Sequence, residues 1–217
     1  MHMIALVALY LSAAPLAPLN PVEQDTLPAE CFHVSAGVAA GNGVFSTGPE
    51  ISAMFEIRPI HPMLVRGELI GRVGSAGIRI WPTGNEVAPF VANGSFQSAT
   101  LGVTALYYRG TSKMTAYIGM GAVYTMAHFG AGSASRSSLS RDYGVHSVSL
   151  HPTFGYQFLL GLRYRKSYTL EIGVIELRPD AEYRGSLANS GYFTGSDQTR
   201  LGGFHISIGR IWTIRTR

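Results

Sequence analysis

From Ser147 to Arg163, with Tyr164 closing the run, apolar residues alternate with mostly small or polar ones. Even positions hold Val148, Leu150, Pro152, Phe154, Tyr156, Phe158, Leu160, Leu162 and Tyr164. Odd positions are mainly Ser149, His151, Thr153, Gly155, Gln157, Gly161 and Arg163. A period of two puts each set on its own face of a β-strand and fits no helical stripe. Strands of soluble proteins have about five or six residues, whereas a tilted strand that crosses a bilayer needs about nine to eleven. Phe154 to Tyr164 has the longer length.

The pattern recurs along the chain. Cys31–Gly41 sets Phe32, Val34 and Val38 against His33, Ser35 and Gly37. Pro49–Arg58 sets Ile51, Ala53, Phe55 and Ile57 against Ser52, Met54, Glu56 and Arg58. Met63–Val73 opposes Met63, Val65 and Leu69 to Arg66, Glu68 and Arg72; Ser95–Arg109 opposes Leu101, Val103 and Tyr107 to Ser98, Thr100 and Thr104. Lys113–Phe129, Tyr168–Arg178 and Arg200–Ile214 complete the set. Short links at Gly41–Gly48, Pro59–Pro62, Gly110–Ser112 and Arg165–Ser167 carry turn residues. Longer ones run over Gly74–Gly94, with room for a short extra strand at Ile78–Trp81, over Gly130–His146, and over a polar stretch at Pro179–Thr199. After the first hairpin the links alternate short and long. This organisation predicts an all-β fold, an eight-stranded antiparallel up-and-down transmembrane β-barrel.

Alternation alone does not say which face points outward. A soluble lipocalin-like barrel turns its apolar face inward and shows water a charged one. Here the second face is mainly Gly, Ser, Thr and Ala, which suits the cramped interior of eight strands. The apolar face is therefore expected outside, with the soluble ligand-binding barrel as rival. Glu56 and Arg66 then face each other across a hairpin inside the lumen, and Glu171 lies within reach of Arg163. Glu68 and Arg72 extend the set into a lumenal ion-pair network, because an unpaired buried charge costs several kcal/mol. Outside, Tyr107, Tyr164, Tyr168 and Trp212 lie at matching strand ends and predict an aromatic girdle. Arg210 is a charge on the apolar face, close enough to that end to snorkel.

Composition narrows the classes. Charged residues make up 14% of 217, against roughly 25% in a typical soluble domain, yet no apolar run is long enough for a membrane-spanning helix. The formal charge of +4 is not gathered into a basic stretch with interleaved aromatics, which argues against a nucleic-acid partner. Cys31 is the single cysteine, so a disulfide framework and a cysteine-built metal site are both excluded; it is expected as a structural free thiol. Residues 1–17, with an apolar core from Ile4 to Ala14, are expected to be a signal peptide. Residues 18–30 read as a linker, 31–214 as the barrel and 215–217 as a tail. The histidines lack metal-ligand spacing; only His128, His146 and His151, around one loop, are candidates to meet, and no cofactor is expected.

The span Cys31–Trp212 resembles the bacterial outer-membrane β-barrel superfamily, in particular its small eight-stranded members such as the membrane domain of outer-membrane protein A. The resemblance lies in the strand pattern and in the final strand, Gly-Gly-Phe-His-Ile-Ser-Ile-Gly-Arg-Ile-Trp at Gly202–Trp212. It implies export through the periplasm to the bacterial outer membrane, contact with outer-membrane lipid, and engagement of the barrel-assembly machinery during biogenesis. Short turns then face the periplasm and long loops the outside. His205-Ile206-Ser207 resembles part of a lipid A deacylase stretch, but Ile208 replaces its Asn, no acidic residue follows Asp197, and parity turns both side chains into the lumen. The expected function is non-enzymatic: a structural or surface-interaction role through the long loops, with an unidentified external partner. The alternatives are a narrow channel for small solutes or apolar molecules, and the lipocalin-like barrel.

Overall fold

Glu30 begins the first of a series of strands whose ladder returns to its own start. The structure, a computed structural model, describes residues 30–41, 47–60, 62–80, 90–111, 113–131, 143–187 and 191–215. The expected signal peptide and most of the linker, together with His61 and Trp81, lie outside them. The strands are β1 (Glu30–Gly41), β2 (Gly48–Ile60), β3 (Met63–Ile80), β4 (Phe90–Gly110), β5 (Met114–Ala131), β6 (Tyr143–Leu150), β7 (Thr153–Tyr164), β8 (Tyr168–Leu177), β9 (Asp180–Leu187), β10 (Gly191–Gln198) and β11 (Gly203–Arg215). Strands β1 to β5 pair in sequence; β5 pairs with β7, β7 with β8, β8 with β11, and β11 with β1. Every one of these pairings is antiparallel, so the ring of eight closes and leaves no edge within the wall.

The chain's first and last described residues and the tight links lie at one end, called the turn end. There Thr111 N donates to Met114 O at 2.7 Å and Ser167 N to Tyr164 O at 3.1 Å. Arg165 and Lys166 take left-handed φ of 48° and 59° to close the last of these links. The opposite end, the loop end, carries the longer connections.

The two faces are those the alternation assigns. Ile51, Leu101, Val103, Met120, Phe154 and Ile208 are exposed on the outside, while Glu56, Arg66, Thr104, Gln157 and Arg163 are buried within. A soluble barrel with its apolar face inward is therefore excluded. Outward Tyr107, Tyr164, Tyr168 and Trp212 stand at the turn end, and the Arg210 guanidinium lies 5.6 Å over the Trp212 ring. Large lumenal side chains are matched with glycines on neighbouring strands. Tyr117 lies over Gly161, and His205 over Gly173, where any β-carbon would clash.

Three expectations need correction. The run from Ser147 to Tyr164 is two strands, because Pro152 has no N–H for the ladder and the chain breaks at His151–Pro152. The face reverses across that break: Val148 is 5% exposed and Phe154 78%. The polar stretch at Pro179–Thr199 is not a plain loop but holds β9 and β10, paired with each other from Asp180–Gln198 to Leu187–Gly191. Finally, Gly74–Gly94 is not wholly irregular, and Ile78 is not in a separate short strand. β3 and β4 stay in unbroken register from Met63–Tyr107 to Ile80–Phe90.

Candidate functional site

The lumen is divided along its axis. Near the turn end, Leu64, Leu106, Tyr108, Tyr117 and Leu159 form a small buried apolar cluster. Beside it lies the ion-pair layer. Glu56 on β2 accepts from Arg66 on β3 at 2.8 Å and from Arg163 on β7 at 2.5 Å. Arg66 also donates to Glu171 on β8 at 2.6 Å. The Tyr117 hydroxyl donates to the same Glu171, and both guanidinium groups lie over its ring, at 5.5 and 5.7 Å. Two carboxylates and two guanidinium groups from four strands thus neutralise one another across the lumen. Cys31 donates its thiol to the same Glu56 at 3.2 Å, which satisfies the one cysteine structurally.

A polar middle follows. Glu68 accepts from Thr104 at 3.0 Å and from the Gln157 amide. Arg72 donates to Glu50 at 2.6 Å, and the His205 ring sits 3.0 Å from the same carboxylate. His33 bonds Thr169 at 2.6 Å, and Ser35 bonds Ser52 at 2.5 Å.

Towards the loop end the lumen becomes apolar. Ile78, Phe96, Val123, Phe129, Ile175 and Leu177 from the wall pack with Val145, Val148, Leu150 and Tyr183 from β6 and β9. Strands β6, β9 and β10 form a raised sheet that continues β7, β8 and β11 beyond the wall. Its inner face closes over the mouth. Its outer face exposes Ser149, Glu182 and Arg184, with His151 2.9 Å from Asp180 through its backbone N–H and 3.1 Å from Glu182 through its ring. His146 meets Ser186 at 2.9 Å.

The predicted ion-pair residues all face the lumen, but their partners differ in part. Glu56 faces Arg66 in register, as the hairpin parity requires. Glu171 binds Arg66 and not Arg163, which reaches across the lumen to Glu56 instead. Glu68 and Arg72 do not pair with each other; Glu68 takes neutral donors and Arg72 takes Glu50. The reason is geometric. Sequence parity locates neighbours along the ladder, whereas a narrow closed barrel also brings opposite walls within one side-chain length. Glu50, His205 and Tyr117 were not among the predicted set, although the alternation of their strands puts each on the lumenal face, Glu50 on the same face of β2 as Glu56. His128, His146 and His151 do not converge: His128 lies on the outer wall, His146 on β6 and His151 at the break that follows it. His205 and Ser207 are both buried in the lumen, as their parity requires, and the His205 ring faces the Glu50 carboxylate.

No protein-family model matches the chain, and no curated protein sequence does. Solved structures do. The outer membrane protein OprG from Pseudomonas aeruginosa aligns at TM-score 0.59 and 14% identity, covering 87% of this chain and 98% of that one. Neisserial surface protein A, NspA, aligns at TM-score 0.50 and 14% identity, covering 86% and 97%. Identities this low carry the fold alone. Together with the closed ring and the apolar outer wall, they define the fold: an eight-stranded antiparallel transmembrane β-barrel similar to those of small outer-membrane proteins.

Proposed function

We propose that this is a non-enzymatic surface-interaction protein of the bacterial outer membrane, anchored by the barrel and presenting the raised sheet. The turn end faces the periplasm and the loop end the outside. One observation carries the reading: the lumen is filled at both ends, while the sheet keeps a polar outer face and β10 pairs with β9 alone among the described residues. An edge strand offers a row of backbone donors and acceptors to an extended segment of another chain. Apolar packing above and neutralised charges below oppose solute passage.

The test compares the whole protein with a variant in which residues 180–198 are replaced by a short Gly-Ser linker. Planar bilayers should record no steady unitary conductance from the intact protein. Cells displaying it should adhere or aggregate more than cells displaying the shortened one, with both proteins retaining the heat-dependent gel mobility of a closed barrel. A steady conductance, or equal adhesion, refutes the reading.

A further inference from the structure

The outer wall has a marked depression, of about 560 Å³, on β2 to β5. It arises from side-chain size. Ile51, Gly71, Ala99 and Met126 form a row across four strands in register. The two middle residues are the smallest available, so the wall dips between larger shoulders. A β-carbon at Gly71 would meet only Ile51, at 3.7 Å; the space beyond is open. The volume falls within the roughly 300–1,000 Å³ of small-molecule pockets.

Depth and polarity say what belongs there. Tyr107 marks the girdle at the turn end, and Gln97 lies ten residues further along the same strand. At about 3.3 Å per residue and a tilt near 40°, that is about 25 Å, the height of the apolar band of an outer-membrane barrel. Gln97 therefore stands at the far interface, and the notch at Gly71 and Ala99 just inside it. Gln97 pairs in register with His128 on β5. Both side chains are exposed, and they form a polar rim above an apolar floor.

We propose that this notch seats one acyl chain of an outer-leaflet glycolipid of the lipid A type, with the Gln97 amide and the His128 ring donating to the amide- or ester-linked carbonyl at the head of the chain. A hydrocarbon chain matches the floor, and the carbonyl falls at the height of the rim. Bulk lipid would cover the wall without selection; a notch with donors at one fixed height selects a chain whose linkage sits there. The proposal stands apart from the surface-interaction reading and requires only that the barrel span an outer membrane.

The test is native mass spectrometry of the full protein released from detergent after incubation with hexa-acyl lipid A or, separately, with phosphatidylglycerol. The wild type should keep one lipid A molecule. Gly71→Leu with Ala99→Leu should lose most of it, about tenfold in occupancy, because the filled notch no longer removes the chain from surrounding detergent. Gln97→Leu with His128→Leu should lose it by a smaller factor, and Val174→Leu, on the outer face of β8, should keep it. Equal retention by the filled variant, or equal retention of phosphatidylglycerol by the wild type, overturns the proposal. So does a persistent protein dimer that replaces the adduct. Heat-dependent gel mobility reports folding, and the polar-rim pair supplies the reading should the filled variant fail to close.

Discussion

The two halves of the lumen solve the same packing problem with opposite chemistry. At the turn end, Glu56, Arg66, Arg163 and Glu171 fill the interior with paired charge; at the loop end, Phe96, Phe129, Val148, Leu150 and Leu177 fill it with hydrocarbon. Both exclude a wide water column, but they fail differently. Charge pairs depend on each partner's presence, since a lone buried ion has no solvent to fall back on. Hydrocarbon depends on volume, and loses in proportion to what is removed.

The sharpest break in that comparison is Glu56→Ala. Arg66 keeps Glu171, but Arg163 loses its carboxylate, and the loss should be about 3–5 kcal/mol. It is read as a lowered urea midpoint for folding into lipid vesicles. Adding Arg163→Met should recover part of that loss, because Arg66 and Glu171 remain a balanced pair; a double variant weaker than the single one would contradict this account of the layer. In the apolar half, Phe129→Ala should cost about 3 kcal/mol through the cavity it leaves, and no second substitution of a charge should rescue it. Gly161→Val sharpens the packing side. It forces a side chain into the Tyr117 ring and should cost about 1–3 kcal/mol as overpacking, measured by the same midpoint. Arg178→Gln is the smallest. It removes an exposed partner of Glu176 that sits 3.4 Å away while Arg200 remains at 2.8 Å, and exposed pairs of this kind contribute little. The midpoint should not move.

How much of this was legible in the sequence follows the physics of each region. Where the chain crosses the wall, a strand must separate an apolar from a polar face, so Ala99 to Tyr107 and Met114 to Met126 announced their strands and their sides. Above the wall that demand lapses. Asp180–Leu187 does alternate, with Ala181, Tyr183 and Gly185 buried against Glu182 and Arg184 exposed, but its charges and glycine read as loop. Gly74, Ser75, Ala76 and Gly77 are too uniformly small to show a period, although β3 passes straight through them. The opposite error came at Pro152, where an unbroken alternation of apolar and polar letters concealed a reversal of faces. In the lumen, parity found Glu56 opposite Arg66 but not Arg163 reaching across to Glu56, because contacts through the interior leave no spacing in the chain.

The breaks between wall and sheet fall at one level: His151–Pro152, Arg178–Pro179 and Thr199–Gly202. Within it His151 N donates to Asp180 O at 2.9 Å and Thr199 N to Pro179 O at 3.0 Å, and β6 meets the wall strand β5 at Phe129–Val148. The ladders of β7, β8 and β11 all stop there, whereas β3, β4 and β5 pass the same level in continuous register. The junction therefore acts as a mechanical joint: tension on the sheet bends the chain at three weakened points before it can peel a stave from the ring. It also uncouples inheritance above from below, since a residue gained or lost in the sheet is absorbed at the joint and leaves the alternation of the wall in step.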